Sequence, residues 1–203
     1  MERRPPEEIL VPPRFRIVRA PHRGDGGPLC TLVMRPSHAF GDGTHETTRT
    51  CLQALAAFCP KGPFRMLDVG SGTGILSIAA AKLGGTAYGV EIDEQANEVA
   101  ARAAHDNGVA SAVSFASSWP DGVFDVVVAN ILRDVLLALA PAIVARLAPH
   151  GLLILSGLVS TDVPAIVARY GPSLPRHRLD VFERDVWRTL TYRPIRETGT
   201  RSG

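Results

Sequence analysis

Leu67-Asp68-Val69-Gly70-Ser71-Gly72-Thr73-Gly74-Ile75-Leu76 decides the reading of this chain. An apolar run ends in three alternate glycines and gives way at once to a second apolar run, the pattern of a strand passing through a tight loop into a helix. Glycines let such a loop approach a ligand closely, and they are expected to present free N–H groups at the helix N-terminus. A glycine loop alone fits any strand-to-helix turn. Here the next apolar run closes on Gly89-Val90-Glu91, which puts an acid about 20 residues beyond the first glycine, where a carboxylate accepts hydrogen bonds from both hydroxyls of a ribose. Asp68, Gly70, Gly72, Gly74 and Glu91 are therefore the candidate contacts to a nucleoside cofactor. Asp93 is expected instead to N-cap the helix that follows.

Outward from the loop, short β-branched runs alternate with stretches of helical length, the signature of a parallel sheet covered by helices. The predicted strands are Arg65–Val69, Thr86–Glu91, Val113–Phe115, Val123–Ala129, Gly151–Ser156, Arg178–Phe182 and Val186–Tyr192. The predicted helices are Glu46–Phe58, Ile75–Leu83, Glu94–Asn107, Arg133–Leu147 and Asp162–Tyr170, with Asn107-Gly108 and Pro149-His150-Gly151 as stop signals. Only Glu183-Arg184-Asp185 separates the last two strands, so they must form an antiparallel hairpin. The fold class is thus α/β and Rossmann-like: a seven-stranded, mostly parallel sheet with a C-terminal antiparallel hairpin, the arrangement that separates class I methyltransferases from dinucleotide dehydrogenases.

The bulk properties agree with one such domain. A chain of 203 residues, 45% hydrophobic and 21% charged, buries one full core. Residues 1–30, rich in Pro, Arg and Gly, read as an arm or linker with one short strand at Arg14–Val18; residues 31–193 read as the domain and 194–203 as a flexible tail. A net charge of +2 gives no indication of nucleic acid. Cys30, Cys51 and Cys59 are odd in number and form no Cys-x-x-Cys pair, so neither a disulfide framework nor a metal site is expected. With no signal-like start and no stretch of membrane-spanning length, a cytoplasmic location is expected.

Two further constellations lie outside the glycine loop. Phe124-Asp125-Val126-Val127-Val128-Ala129-Asn130 places an amide at the carboxyl end of a strand, the edge where open α/β sheets bind ligands. The Asn130 carbonyl suits an amine donor whose nitrogen lone pair has to be aimed. The segment Pro36-Ser37-His38-Ala39-Phe40-Gly41-Asp42-Gly43-Thr44-His45-Glu46-Thr47-Thr48 is dense in Gly, Thr and His, as a lid or binding loop would be. Thr44 is placed to N-cap the helix after it, and His45 and Phe40 are candidates to line the target nitrogen.

Ala39–Thr48, Leu67–Leu76 and Ala129-Asn130-Ile131-Leu132 together closely resemble the PrmA family, the methyltransferases of ribosomal protein L eleven. The resemblance runs through Leu139-Ala140-Pro141, Gly151–Gly157 and Trp187, and so covers roughly residues 30–193. It implies an S-adenosylmethionine-dependent N-methyltransferase acting on lysine or N-terminal amines of a protein, with cofactor contacts at Thr48, Gly70, Glu91 and Asn130. Thr48 is supplied by the resemblance alone. Glu91 stands where the family usually has Asp, and Asp42 where it has a small neutral residue, which brings an added negative charge near the sulfonium. The family's N-terminal docking domain is expected to be absent. That leaves a small-molecule acceptor as an alternative to a ribosomal protein, and a non-catalytic nucleoside-binding module or a dinucleotide oxidoreductase as readings from other classes.

Overall fold

The computed structural model describes residues 8–21 and 27–195; the expected tail from residue 196 onward lies outside them, as does the first part of the expected arm. The seven expected strands form one sheet. They are β4 (Arg65–Val69), β5 (Thr86–Val90), β6 (Val113–Ala116), β7 (Phe124–Asn130), β8 (Leu147–Val159), β9 (His177–Arg184) and β10 (Trp187–Pro194), in the order β6-β5-β4-β7-β8-β10-β9. All pairings are parallel except those of β10, which runs antiparallel to both β8 and β9. The hairpin turns at Asp185, which adopts a left-handed φ of 52°.

The helices are α1 (Glu46–Phe58), α2 (Ile75–Lys82), α3 (Glu94–Asp106), α4 (Arg133–Ala145) and α5 (Val163–Tyr170). The sheet has a core on each face, and β7 shows why. Val126 and Val128 pack on one side with Leu52 and Leu55 of α1 and Ile78 of α2. Val127 and Ala129 pack on the other side with Leu136 and Ile143 of α4 and Ile166 and Tyr170 of α5. Side chains alternate with period two along a strand, so a strand covered on both faces reads as a continuous apolar run. Each of these leucines and isoleucines contributes about 1.5–3 kcal/mol on burial.

Three strands precede this sheet: β1 (Glu8–Val11), β2 (Phe15–Arg19) and β3 (Cys30–Met34). They form a separate small sheet in the order β1-β2-β3, antiparallel then parallel. One strand, Arg14–Val18, was expected before residue 30. The structure has a second there because Ile9, Val11, Phe15 and Ile17 alternate inward and join the same core as α1 and α2. The free edge of β3 is closed by Asn107, whose side chain accepts from Val33 N (2.9 Å) and donates to Val33 O (2.7 Å) as a peptide would.

Two expected boundaries shift. α4 ends at Ala145, and Leu147 already pairs with Phe124, so the Pro149-His150-Gly151 stop lies inside β8. α5 starts at Val163 after a single 3-10 turn at Ser160–Asp162. Strand order reverses between β4 and β7, and the crevice at their carboxyl ends is where open α/β sheets take ligands. Gly70 follows β4 and Asn130 ends β7, so the topology alone brings both to that crevice.

Candidate active site

The glycine loop makes a different use of its N–H groups from the one expected. Gly70 N (2.8 Å) and Ser71 N (3.3 Å) donate to Val90 O, Thr73 N donates to Phe40 O (3.0 Å), and Gly74 N donates to Ser71 O (2.8 Å). Gly72 N donates to Glu91 Oε2 at 3.1 Å. All five are satisfied within the chain, so the loop is no nest for a pyrophosphate, which needs unpaired donors. The glycines serve close packing instead.

Charge at the loop points the same way. Asp68 is buried, and its Oδ2 accepts from Ser77 N (3.1 Å) and Ser77 Oγ (2.8 Å). Ser77 is the third residue of α2, whose N-cap Gly74 has no side chain, so Asp68 supplies from β4 the carboxylate that a capping residue would bring. Burial pushes the Asp68 carboxyl up to about 7 against the lowering pull of the Ser77 bonds. Glu91 holds Gly72 N with one oxygen and Asp93 N (3.1 Å) with the other, and each oxygen keeps a lone pair for a further donor. The crevice is acidic and rich in acceptors, suited to hydroxyls and a cation.

Asp93 N-caps α3 through Gln95 N (2.9 Å) as expected, while Asn97 fixes the Glu91 backbone by donating to its carbonyl (2.9 Å). Asn97 and Ser77 were not singled out from sequence. Ser77 carries a signal in hindsight, as a hydroxyl in the first turn of the otherwise apolar Ile75–Ala81.

The segment Phe40–Thr48 lies against this loop. Phe40 O takes the Thr73 N–H, and Gly41 O takes the Thr73 hydroxyl at 2.7 Å. α1 is N-capped by His45 and not by Thr44: His45 Nδ1 accepts from Thr47 N (3.3 Å) and lies 2.8 Å from Thr47 Oγ1. Thr44 is drawn away because both its N–H (3.0 Å) and its hydroxyl (2.6 Å) go to Asp42 Oδ1. Asp42 pairs with Arg19 of β2 at 2.8 Å. Burial raises the Asp42 pKa, but the Thr44 and Arg19 hydrogen bonds together outweigh it and hold it below the ordinary value. The extra charge of Asp42 is thus consumed in tying this segment to the small sheet.

A ring stack closes the mouth. His45 sits 5.2 Å from the Phe40 ring and meets Trp187 of β10 edge-on at 4.7 Å. Phe40 remains 57% exposed and Leu132, just past Asn130, 75% exposed, so apolar surface is left at the opening. The Nδ1 side of the His45 ring is thus engaged at the start of α1. Replacing His45 with Ala removes the cap and the stack. We expect a stability loss of about 1–2 kcal/mol in urea unfolding, with His45→Asn recovering the cap share; an unchanged midpoint would contradict this assignment.

Among the described residues, the buried side-chain oxygens with no hydrogen-bond partner include Ser71 Oγ in the glycine loop, Asn97 Oδ1 beside Glu91, Thr48 Oγ1 in the first turn of α1 and Asn130 Oδ1 at the end of β7. Buried polar atoms are normally paired, so an orphan at a crevice marks an acceptor waiting for a ligand. Among the described residues no His, Cys, Asp and Glu cluster suited to a metal occurs, and no helix is long and apolar enough to cross a membrane.

Comparison with known proteins bears on this geometry. A family profile described as "Ribosomal protein L11 methyltransferase (PrmA)" matches residues 13–194. The ribosomal protein L11 methyltransferase of Syntrophotalea carbinolica is 44% identical over 79% of this chain and 54% of its own length. That of Dechloromonas aromatica is 42% identical over 87% of this chain and 60% of its own length. The chain therefore spans little more than half the length of these relatives. A crystal structure of ribosomal protein L11 methylase from Lactobacillus delbrueckii subsp. bulgaricus superposes with a TM-score of 0.81 at 25% identity, covering 94% of this chain and 98% of that one. A Thermus thermophilus 16S rRNA methyltransferase, solved in complex with AdoMet and guanosine, shares the fold at a TM-score of 0.63 and 21% identity, over 77% of this chain and 45% of that one. With the profile matching nearly the whole domain and the sheet carrying its C-terminal hairpin, the chain belongs to the PrmA family of ribosomal protein L11 methyltransferases.

Proposed function

We propose that this chain is an S-adenosylmethionine-dependent N-methyltransferase that modifies an amine of a protein, the relatives being named as methyltransferases of ribosomal protein L11. The observation that carries this reading is the pair of orphaned buried oxygens, Thr48 Oγ1 and Asn130 Oδ1, beside an acidic glycine loop. The residues present fit the cofactor. Glu91 would accept from ribose hydroxyls, the Gly70–Gly74 backbone would lie against the nucleoside, and Thr48 and Asn130 would supply further acceptors. Asp68 acts through the loop by bracing α2. The bound sulfonium supplies an electrophilic methyl group.

The chain's own residues supply position. Asn130 Oδ1 accepts an N–H of the incoming amine and so fixes where its lone pair points. Well-oriented reactants recover about 7–11 kcal/mol of a barrier. The apolar rim of Phe40 and Leu132 desolvates a bound amine, which disfavours its charged form. His45 holds the helix N-terminus through Nδ1.

Calorimetry with S-adenosylhomocysteine and, separately, NAD tests the cofactor. We expect saturable binding of the first alone; binding of NAD without S-adenosylhomocysteine would return the chain to the dinucleotide class. Labelled cofactor offered with a ribosomal protein fraction and with a small-molecule extract tests the acceptor. Label confined to the small molecules would overturn the protein substrate.

A further inference from the structure

A buried line of hydroxyls joins α1, β10 and β8. Thr50 Oγ1 donates to Thr47 O at 3.0 Å, Thr50 Oγ1 and Thr189 Oγ1 lie 2.7 Å apart, and Thr189 Oγ1 and Ser156 Oγ lie 2.7 Å apart. All three side chains are buried. A hydroxyl has one hydrogen to give. Thr50 spends its hydrogen on the Thr47 carbonyl, so Thr189 must donate to Thr50 and Ser156 must donate to Thr189. The direction of the whole line is fixed by its last bond.

One end of the line bonds a peptide next to a site residue, and the other lies on a residue in register with one. The Thr47 carbonyl belongs to the peptide unit that leads into Thr48, so Thr50 holds the plane from which Thr48 projects. At the other end, Ser156 is the cross-strand partner of Asn130 between β7 and β8. The middle member sits on β10, two residues beyond Trp187, against which His45 rests.

The backbone is bent to make this possible. Pairing of β10 with β8 shifts register between Arg188 and Leu190, and on β8 the extra residue falls at Ser156-Gly157. Gly157 takes a φ of +85°, and a Cβ there would lie 2.6 Å from Ile131 O in the turn after Asn130. A β-bulge redirects side chains where it occurs. Here it accompanies a contact between Ser156 and Thr189 while the next residue packs against the Asn130 turn.

We propose that Thr50, Thr189 and Ser156 are positioning residues, a single hydroxyl chain that sets Thr48 on α1 and Asn130 on β7 at a fixed separation for the cofactor. The inference rests on the reading of Thr48 and Asn130 as cofactor contacts. Neither end residue is hydrogen-bonded to the other, so their spacing is held through this line and the packing around it. A chain of hydrogen bonds with one allowed direction acts as a unit, because removing one hydroxyl leaves its neighbours unpaired.

Thr189→Val keeps the side-chain shape and deletes the hydroxyl; Thr189→Ser keeps the hydroxyl and deletes a methyl. S-adenosylhomocysteine affinity is read by calorimetry on folded protein, with melting measured alongside. We expect Kd to rise about ten-fold or more in Thr189→Val, and to stay within about two-fold of the parent in Thr189→Ser. A purely structural hydroxyl would lower melting in Thr189→Val with affinity unchanged, and that result overturns the proposal. Equal loss in both variants overturns it as well. The pair Thr50→Val and Thr50→Ser, nearer the surface, carries the same expectation and decides the matter if Thr189→Val does not fold. Parent protein that fails to bind S-adenosylhomocysteine would instead overturn the cofactor reading itself.

Discussion

Replacing Asn130 with Ala is expected to lower methyl transfer about 10²–10³-fold while moving the melting temperature by no more than about 2 °C. The two expectations have separate causes. Asn130 Oδ1 is buried and has no hydrogen-bond partner among the described residues, so truncation leaves no donor to that oxygen unpaired there. The backbone of Asn130 stays in register with Ser156 whatever its side chain. Stability therefore has little to lose. Activity is expected to have much to lose, because in the proposed reaction the amide aims the incoming nitrogen at the crevice where β4 and β7 diverge. Single-turnover transfer to the acceptor, measured beside thermal unfolding, separates the two. Turnover within about three-fold of the parent would remove Asn130 from the reaction, and a parallel fall in melting would recast it as a structural residue.

The main sheet was legible in the sequence because its strands bury both faces, and a run such as Val126-Val127-Val128-Ala129 has no other use. The small sheet was harder to see. Its strands are four or five residues long, so each shows only two or three inward positions, and its pairing partners are decided by tertiary contact. The N-terminal extension of β8 was misread as a helix end because Pro149 and Gly151 serve a strand edge and a helix stop equally well. The bulge that follows also required the neighbouring strand.

At the candidate site, the places of Glu91 and Asn130 at strand ends were legible. Thr48 was not, since a Thr in the first turn of a helix has an ordinary role, and only the resemblance singled it out. Nor was the capping role of His45 visible, because histidine is an uncommon cap and Thr44 beside it is a common one. Asp42 decided that choice by taking both donors of Thr44 while pairing with Arg19, 23 residues away. An interaction of that kind has no local signature.

Gly72→Ala should be the most damaging single substitution in the loop. Gly72 holds a φ of +50°, in the left-handed region where an added side chain costs about 1–2 kcal/mol. Its Cβ would also fall on the carbonyl oxygen of Phe40, the acceptor of the Thr73 N–H. That oxygen is backbone and has no rotamer to retreat into, so the Phe40–Gly41 segment has to lift from the loop. The Thr73 hydroxyl bond to Gly41 O goes with it, and the Gly72 bond to Glu91 is disturbed. Together we expect about 2–4 kcal/mol of lost stability and a fall in S-adenosylhomocysteine affinity of about 100-fold. Gly84→Ala is the control: its φ of +93° is at least as unfavourable for a side chain, but nothing among the described residues lies within 4 Å of the added carbon and the residue follows the far end of α2. It should cost the backbone term alone and leave affinity intact. If urea unfolding and calorimetry show the two variants to be alike, the strain at Gly72 is conformational only, and the seating of Phe40 on the loop plays no part in holding the cofactor.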